Sequence, residues 1–169
     1  MKRQLIVFRL GQGDFALDIL AVREITVLRE ITSVPETADY VAGAMNLRGA
    51  LIPILDLRKR MHQLAVANTE ETRVIIARNG DRQLGLIVDQ ASDFIRVEEG
   101  EIEPPPRIFQ EIGAVYVQGV IRRGEQVIAL IDLMQALSGV VLRELDEVIL
   151  GMSRMEKVSA REVKAALVA

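Results

Sequence analysis

One order of events is written twice in this 169-residue chain, and it limits the fold more than composition does. From Gly43 the sequence runs GAMNLRGALIPILDL, and from Gly119 it runs GVIRRGEQVIALIDL. Each block starts on glycine, continues apolar, turns at Arg-Gly and closes in Asp-Leu, at Asp56 and at Asp132, with one residue of slip around the Arg-Gly. Each also follows a proline segment, Pro35 in one half and Pro104-Pro105-Pro106 in the other. Ahead of each lies a hairpin pattern. Leu5–Leu10 and Phe15–Leu20 flank Gly11-Gln12-Gly13-Asp14, while Arg73–Ala77 and Leu84–Val88 flank Asn79-Gly80-Asp81. Turn residues of this kind between apolar runs are strong hairpin signals. Their recurrence about seventy residues apart predicts two related β subdomains.

The strands are short and often split by glycine, and no long helical crossover interrupts residues 1–138, so the expected class is mostly β, a sandwich or barrel. A short helical stretch follows each Asp-Leu, and an Asp at that position caps a first turn through its side-chain oxygen. A separate tail, residues 141–169, follows a β domain at 3–140. Val141, Leu142, Leu145, Val148 and Ile149 fall at helical spacing there, and Ser159 with Glu162 makes a capping box. The tail reads as a docking helix or as a frayed end.

Half the residues are hydrophobic, 27% are charged and the net charge is -3, which suits a soluble core and gives no basic concentration for nucleic acid. No run approaches the ~18 apolar residues of a membrane helix, so any membrane is expected to be reached through a partner. Arg9 breaks the early apolar stretch, which reads as a strand and not a leader. The chain has no cysteine and a single histidine, His62, so no metal or cofactor is expected. Gly11-Gln12-Gly13 sits in a hairpin turn and opens no helix, as a dinucleotide fingerprint must. Ser33, Ser92 and Ser138 have no histidine to activate them. Two other readings stay open on residues alone: a small barrel enzyme using Asp56, Asp89 or Asp132, and an oligonucleotide-binding barrel.

Residues 43–58, GAMNLRGALIPILDLR, resemble the CheW-like family, which carries an N-L-R-G turn, an apolar strand with an internal Pro, and a D-L-R ending. Asn46, Leu47, Arg48, Gly49, Pro53, Asp56, Leu57 and Arg58 fit that pattern. FALDILAVREI matches at Val22, Glu24 and Ile25, and LGLIVDQASDF matches at Gly85, Val88, Asp89, Ser92 and Asp93. The resemblance spans residues 3–140. Two features depart from it: Arg73 stands where the family often has an apolar residue, and the tail is longer than usual.

The resemblance implies two intertwined five-stranded SH3-like β-barrels with short helices and a C-terminal helical tail. It also implies a cytoplasmic adaptor, without enzymatic activity, at membrane-associated receptor arrays. Such an adaptor couples a methyl-accepting chemoreceptor tip to the regulatory domain of a CheA-type histidine kinase. A non-flagellar pathway, such as surface motility, is the alternative setting. Arg48 and Glu24 are expected to pair beside a receptor groove lined by Val22, Ile25, Ala91 and Phe94. Each of these apolar residues is also a candidate for the core, and Phe94 is assigned there for the area a buried ring removes from water. Val41, Gly43 and Met45 are assigned to a kinase-facing end.

Overall fold

A computed structural model describes residues 2–137, apart from Glu36 and residues 62–66, 112, 113 and 115, together with Arg143 and Leu150. The expectations for His62 and for the tail therefore fall almost wholly outside the described residues. Among the described residues, eleven strands run in the order β1 (Lys2–Leu10), β2 (Gly13–Asp18), β3 (Val22–Val27), β4 (Val41–Leu47), β5 (Ala50–Asp56), β6 (Arg73–Asn79), β7 (Arg82–Val88), β8 (Gln90–Glu98), β9 (Ile102–Glu103), β10 (Val117–Arg123) and β11 (Gln126–Ile131). Among the described residues, three short helices accompany them: α1 (Leu57–Arg60), α2 (Arg107–Glu111) and α3 (Leu133–Ala136). The sequence reading missed α2, which starts directly after the proline run.

The strands form two sheets, one of five strands ordered β3-β6-β7-β5-β4 and one of six ordered β8-β1-β2-β11-β10-β9. The sixth strand, β9, is two residues long. Its counterpart in the other sheet is a single bridge between Thr32 and Ala44. Beyond that difference the sheets repeat one design. Each joins its two hairpins by a short parallel seam, Ile54–Asp56 beside Gly85–Ile87 in one and Ile128–Leu130 beside Asp14–Ala16 in the other.

The sequence halves are not the sheets. The opening hairpin β1-β2 pairs with the second half's β8 and β11, while β6-β7 pairs with the first half's β3 and β5. The halves have exchanged their leading hairpins, and the chain crosses between sheets twice, at residues 19–21 and at Asp89.

The repeat holds down to single bonds. Asp56 N–H donates to the Tyr40 carbonyl and Asp132 N–H to the Tyr116 carbonyl, both at 2.7 Å. Gly43 and Gly119 each follow a register shift in the ladder. A Cβ on Gly43 would strike the Thr32 carbonyl, and one on Gly119 would lie 2.9 Å from the Glu103 carbonyl oxygen. Glycine leads both blocks because another backbone passes there.

Apolar packing divides three ways. Met45, Ile52, Ile54, Val74 and Ile76 fill the five-stranded sheet, and Leu5, Ala16, Val97, Ile121 and Leu130 fill the six-stranded one. A third cluster, including Phe8, Leu17, Leu55, Leu86, Val88 and Leu133, draws on both sheets. Burying each of the larger side chains contributes roughly 1.5–3 kcal/mol. An exposed ion pair contributes about 0–1 kcal/mol, so this shared core, not surface charge, joins the sheets.

Candidate functional site

The first candidate feature grows from the Asn46-Leu47-Arg48-Gly49 turn between β4 and β5. Both central residues have positive φ, 52° at Arg48 and 84° at Gly49. That is the type I′ geometry whose twist matches flanking antiparallel strands. The Asn46 side chain accepts the Gly49 N–H at 2.9 Å and fixes the turn. From it Arg48 Nη1 donates to Glu24 Oε2 at 2.8 Å. Glu24 lies on β3 and the turn leaves β4, the opposite edges of the five-stranded sheet, so the sheet curls until its edges meet. The second Arg-Gly turn does the same in the other sheet, where Arg123 donates to the Arg96 carbonyl on β8. The Arg48 side chain remains 71% exposed while Glu24 is 23% exposed, leaving the guanidinium open to a partner.

The second feature is ionic and buried. Asp56 caps α1 by accepting the Arg58 N–H at 3.0 Å, and its two oxygens also accept from Arg58 Nε and Nη2, each at 3.0 Å. Arg58 Nη1 donates to Asp89 at 3.1 Å and Nη2 donates to Asn68 at 2.9 Å. Asp89 further accepts the Gly11 N–H at 2.6 Å. Only 5% of the Arg58 side chain is exposed. Its hydrogen bonds to Asp56, with Asp89 adding to them and burial opposing, hold the guanidinium above its already high range, so it stays charged. The sequence reading took Asp56 for a cap, which it is, and missed the network. The signal was present in Arg58 two residues beyond that cap.

The equivalent position in the second half is Met134. Asp132 caps α3 through Met134 and Gln135 N–H groups, and Gln118 donates to it at 3.2 Å. Beside it lies a cavity of about 270 Å³ lined by Arg3, Asp18, Arg78, Gln118, Asp132 and Met134, among others.

The remaining assigned residues separate on burial. Val22 and Ile25 on β3 are half-buried against the shared core. Ala91 is buried within it. Phe94, assigned to the core, is 59% exposed, which corrects that assignment. Its neighbours Ile95 and Val97 turn toward the six-stranded sheet's interior, so strand alternation sends Phe94 outward. Val41 and Met45 are 7% and 1% exposed, and Gly43 is buried against the Thr32 backbone. None of the three presents a side chain to solvent. Arg73 folds its guanidinium back onto the carbonyls of Glu70 and Thr72. Among the described residues no three His, Cys, Asp or Glu side chains converge as a metal site.

Comparison with known proteins places this geometry. The CheW-like domain family model matches residues 4–141. The chain is 33% identical over 146 residues to the chemotaxis protein CheW of Klebsiella aerogenes, covering 86% of this chain and 88% of that one. It is 35% identical over 129 residues to the chemotaxis protein CheW of Bacillus subtilis, covering 76% and 83%. Among solved structures, the scaffolding protein TtCheW from Thermoanaerobacter tengcongensis superposes with a TM-score of 0.75 at 33% identity, covering 83% of this chain and 91% of that one. With the family's turn, its strand and its D-L-R ending all built into one doubled fold, the chain belongs to the CheW-like domain family.

Proposed function

We propose that this protein is a chemotaxis adaptor that couples chemoreceptors to a CheA-type histidine kinase by binding, without turning over a substrate. The observation that carries the reading is Arg48, an exposed guanidinium on a rigid turn, paired to Glu24 at 2.8 Å beside the half-buried apolar Val22 and Ile25. A planar fork held in one direction suits recognition of a helix that offers a carboxylate or carbonyl. The groove then lies along β3 and β8, edge strands of the two sheets, with Phe94 as an exposed anchor from the second. Val41, Gly43 and Met45 serve the kinase-facing end by shaping β4 from inside. The working place of such an adaptor is the cytoplasmic face of a membrane-associated receptor array.

Titration of the protein against the regulatory domain of the CheA-type kinase from the same genome tests the kinase half. Saturable binding below tens of micromolar is the expected result, and none at about 100 µM rejects it. For the receptor half, Arg48→Glu is expected to weaken binding of a receptor-tip fragment about tenfold or more while the protein stays folded, since exposed pairs contribute only about 0–1 kcal/mol to stability. Unchanged affinity removes Arg48 from the site. The exchanged pair, Arg48→Glu with Glu24→Arg, restores part of the loss if the two residues act together.

A further inference from the structure

The chain crosses between its sheets at two places, and the two are built differently. At Asp89, between β7 and β8, the backbone N–H donates to the Arg9 carbonyl at 3.0 Å and the carboxylate accepts the Gly11 N–H at 2.6 Å. Arg9 and Gly11 belong to the β1-β2 hairpin of the six-stranded sheet. The same carboxylate accepts from Arg58, which Asp56 grips with both oxygens at the end of β5 in the five-stranded sheet. A continuous line of hydrogen bonds therefore runs from the backbone of one sheet, through Asp89, Arg58 and Asp56, to the other. It is largely dry, with side chains 17%, 5% and 9% exposed in that order.

At the other crossing, residues 19–21, Asp18 is also held by an arginine, Arg3, at 2.9 Å. Both residues lie in the six-stranded sheet, so that pair ties nothing across. Where an equivalent of Arg58 would stand there is Met134, beside the cavity of about 270 Å³. Among the described residues, one crossing is bolted by such a line and the other is not.

We propose that Arg58 and Asp89 are positioning residues that fix the angle between the two sheets, and through it the spacing of β3 and β8. The second half of this proposal rests on the reading of those strands as the receptor groove. A buried charge pair adds little net stability but is directional, because moving either partner strands an uncompensated charge in the interior. The shared apolar core supplies cohesion between the sheets without direction, and the ion pair supplies the angle. Losing the pair leaves two attached sheets that sample several angles, and only a fraction of them match a rigid ligand. Apparent affinity falls by that fraction.

The chain has no native cysteine, so spin labels can be placed at will. Val127→Cys on β11 and Val27→Cys on β3, both about half exposed, report across the sheets. Val127→Cys with Arg96→Cys reports within the six-stranded sheet. Pulsed electron spin resonance is expected to give one narrow inter-sheet distance in the parent. In Asp89→Asn, and in Arg58→Met, which copies the second half's own residue, the inter-sheet distribution broadens or shifts while the within-sheet distance stays. Receptor-tip affinity is expected to drop about tenfold in the same variants, as when ~10% of molecules hold the competent angle. Val74→Ala, a cavity in the five-stranded sheet's own core, is the control for lost stability and changes neither quantity. An unchanged inter-sheet distribution in both variants overturns the proposal. Altered distances with full affinity overturn its groove half. Parent protein that never binds the receptor tip fails the adaptor reading instead, and leaves the distance result to decide the clamp.

Discussion

At the scale of single residues, phase along a strand outweighs side-chain type. Phe94 was assigned to the core for its size, yet Ile95 and Val97 already occupy the inward phase of β8. Reading alternation first would have sent Phe94 outward, where it is 59% exposed. The same alternation, broken by a shift at Gly43, hides Val41 and Met45. Arg48 was easier to place, because an Asn-x-Arg-Gly turn fixes both the backbone and the reach of the guanidinium. A consequence for Phe94 follows from its exposure. Phe94→Ser is expected to leave the melting temperature nearly unchanged, within about 0.5 kcal/mol of stability, since surface substitutions rarely do more. It is expected to weaken receptor-tip binding, as loss of an aromatic anchor does. A large fall in melting temperature on thermal denaturation contradicts the exposed placement.

At the scale of elements, the hairpins and both aspartate caps were readable because turns and caps are local chemistry. The exchange of hairpins was not, since pairing between distant strands leaves no local mark. The far end of the buried network was invisible for a related reason: Arg58 sits two residues past the Asp56 cap, but Arg58 and Asp89 are separated by 31 positions and meet only after folding. These elements make a quantitative comparison possible. Asp56 and Asp132 hold the same place in the repeat and cap equivalent helices. Asp132→Ala is expected to cost about 0.5–2 kcal/mol, the worth of a cap. Asp56→Ala is expected to cost about 3–5 kcal/mol, because it also leaves Arg58 short of its main partner in the interior. Urea denaturation of the two variants checks the difference, and equal losses contradict the network.

At the scale of the whole molecule, the shared cluster of Phe8, Leu17, Leu55, Leu86 and Leu133 predicts one cooperative transition, not two. The chain has no tryptophan to report by fluorescence, so far-ultraviolet circular dichroism and amide exchange serve as the two probes. Separate midpoints for amides of the two sheets contradict it. Cutting the chain between β5 and β6, at residues 62–66, is expected to give two pieces that are each unfolded alone and that assemble when mixed, because each sheet takes strands from both sides of the cut.

The traded hairpins carry one more consequence. A polypeptide holding a single copy of this repeat would have no home for its leading hairpin and would fold only by finding a twin. Fusing two copies removes concentration from that equilibrium. It also releases the twins from sameness. An arginine on one side can face a methionine on the other, and the joined pair can show different faces to different neighbours, which a symmetric dimer cannot do.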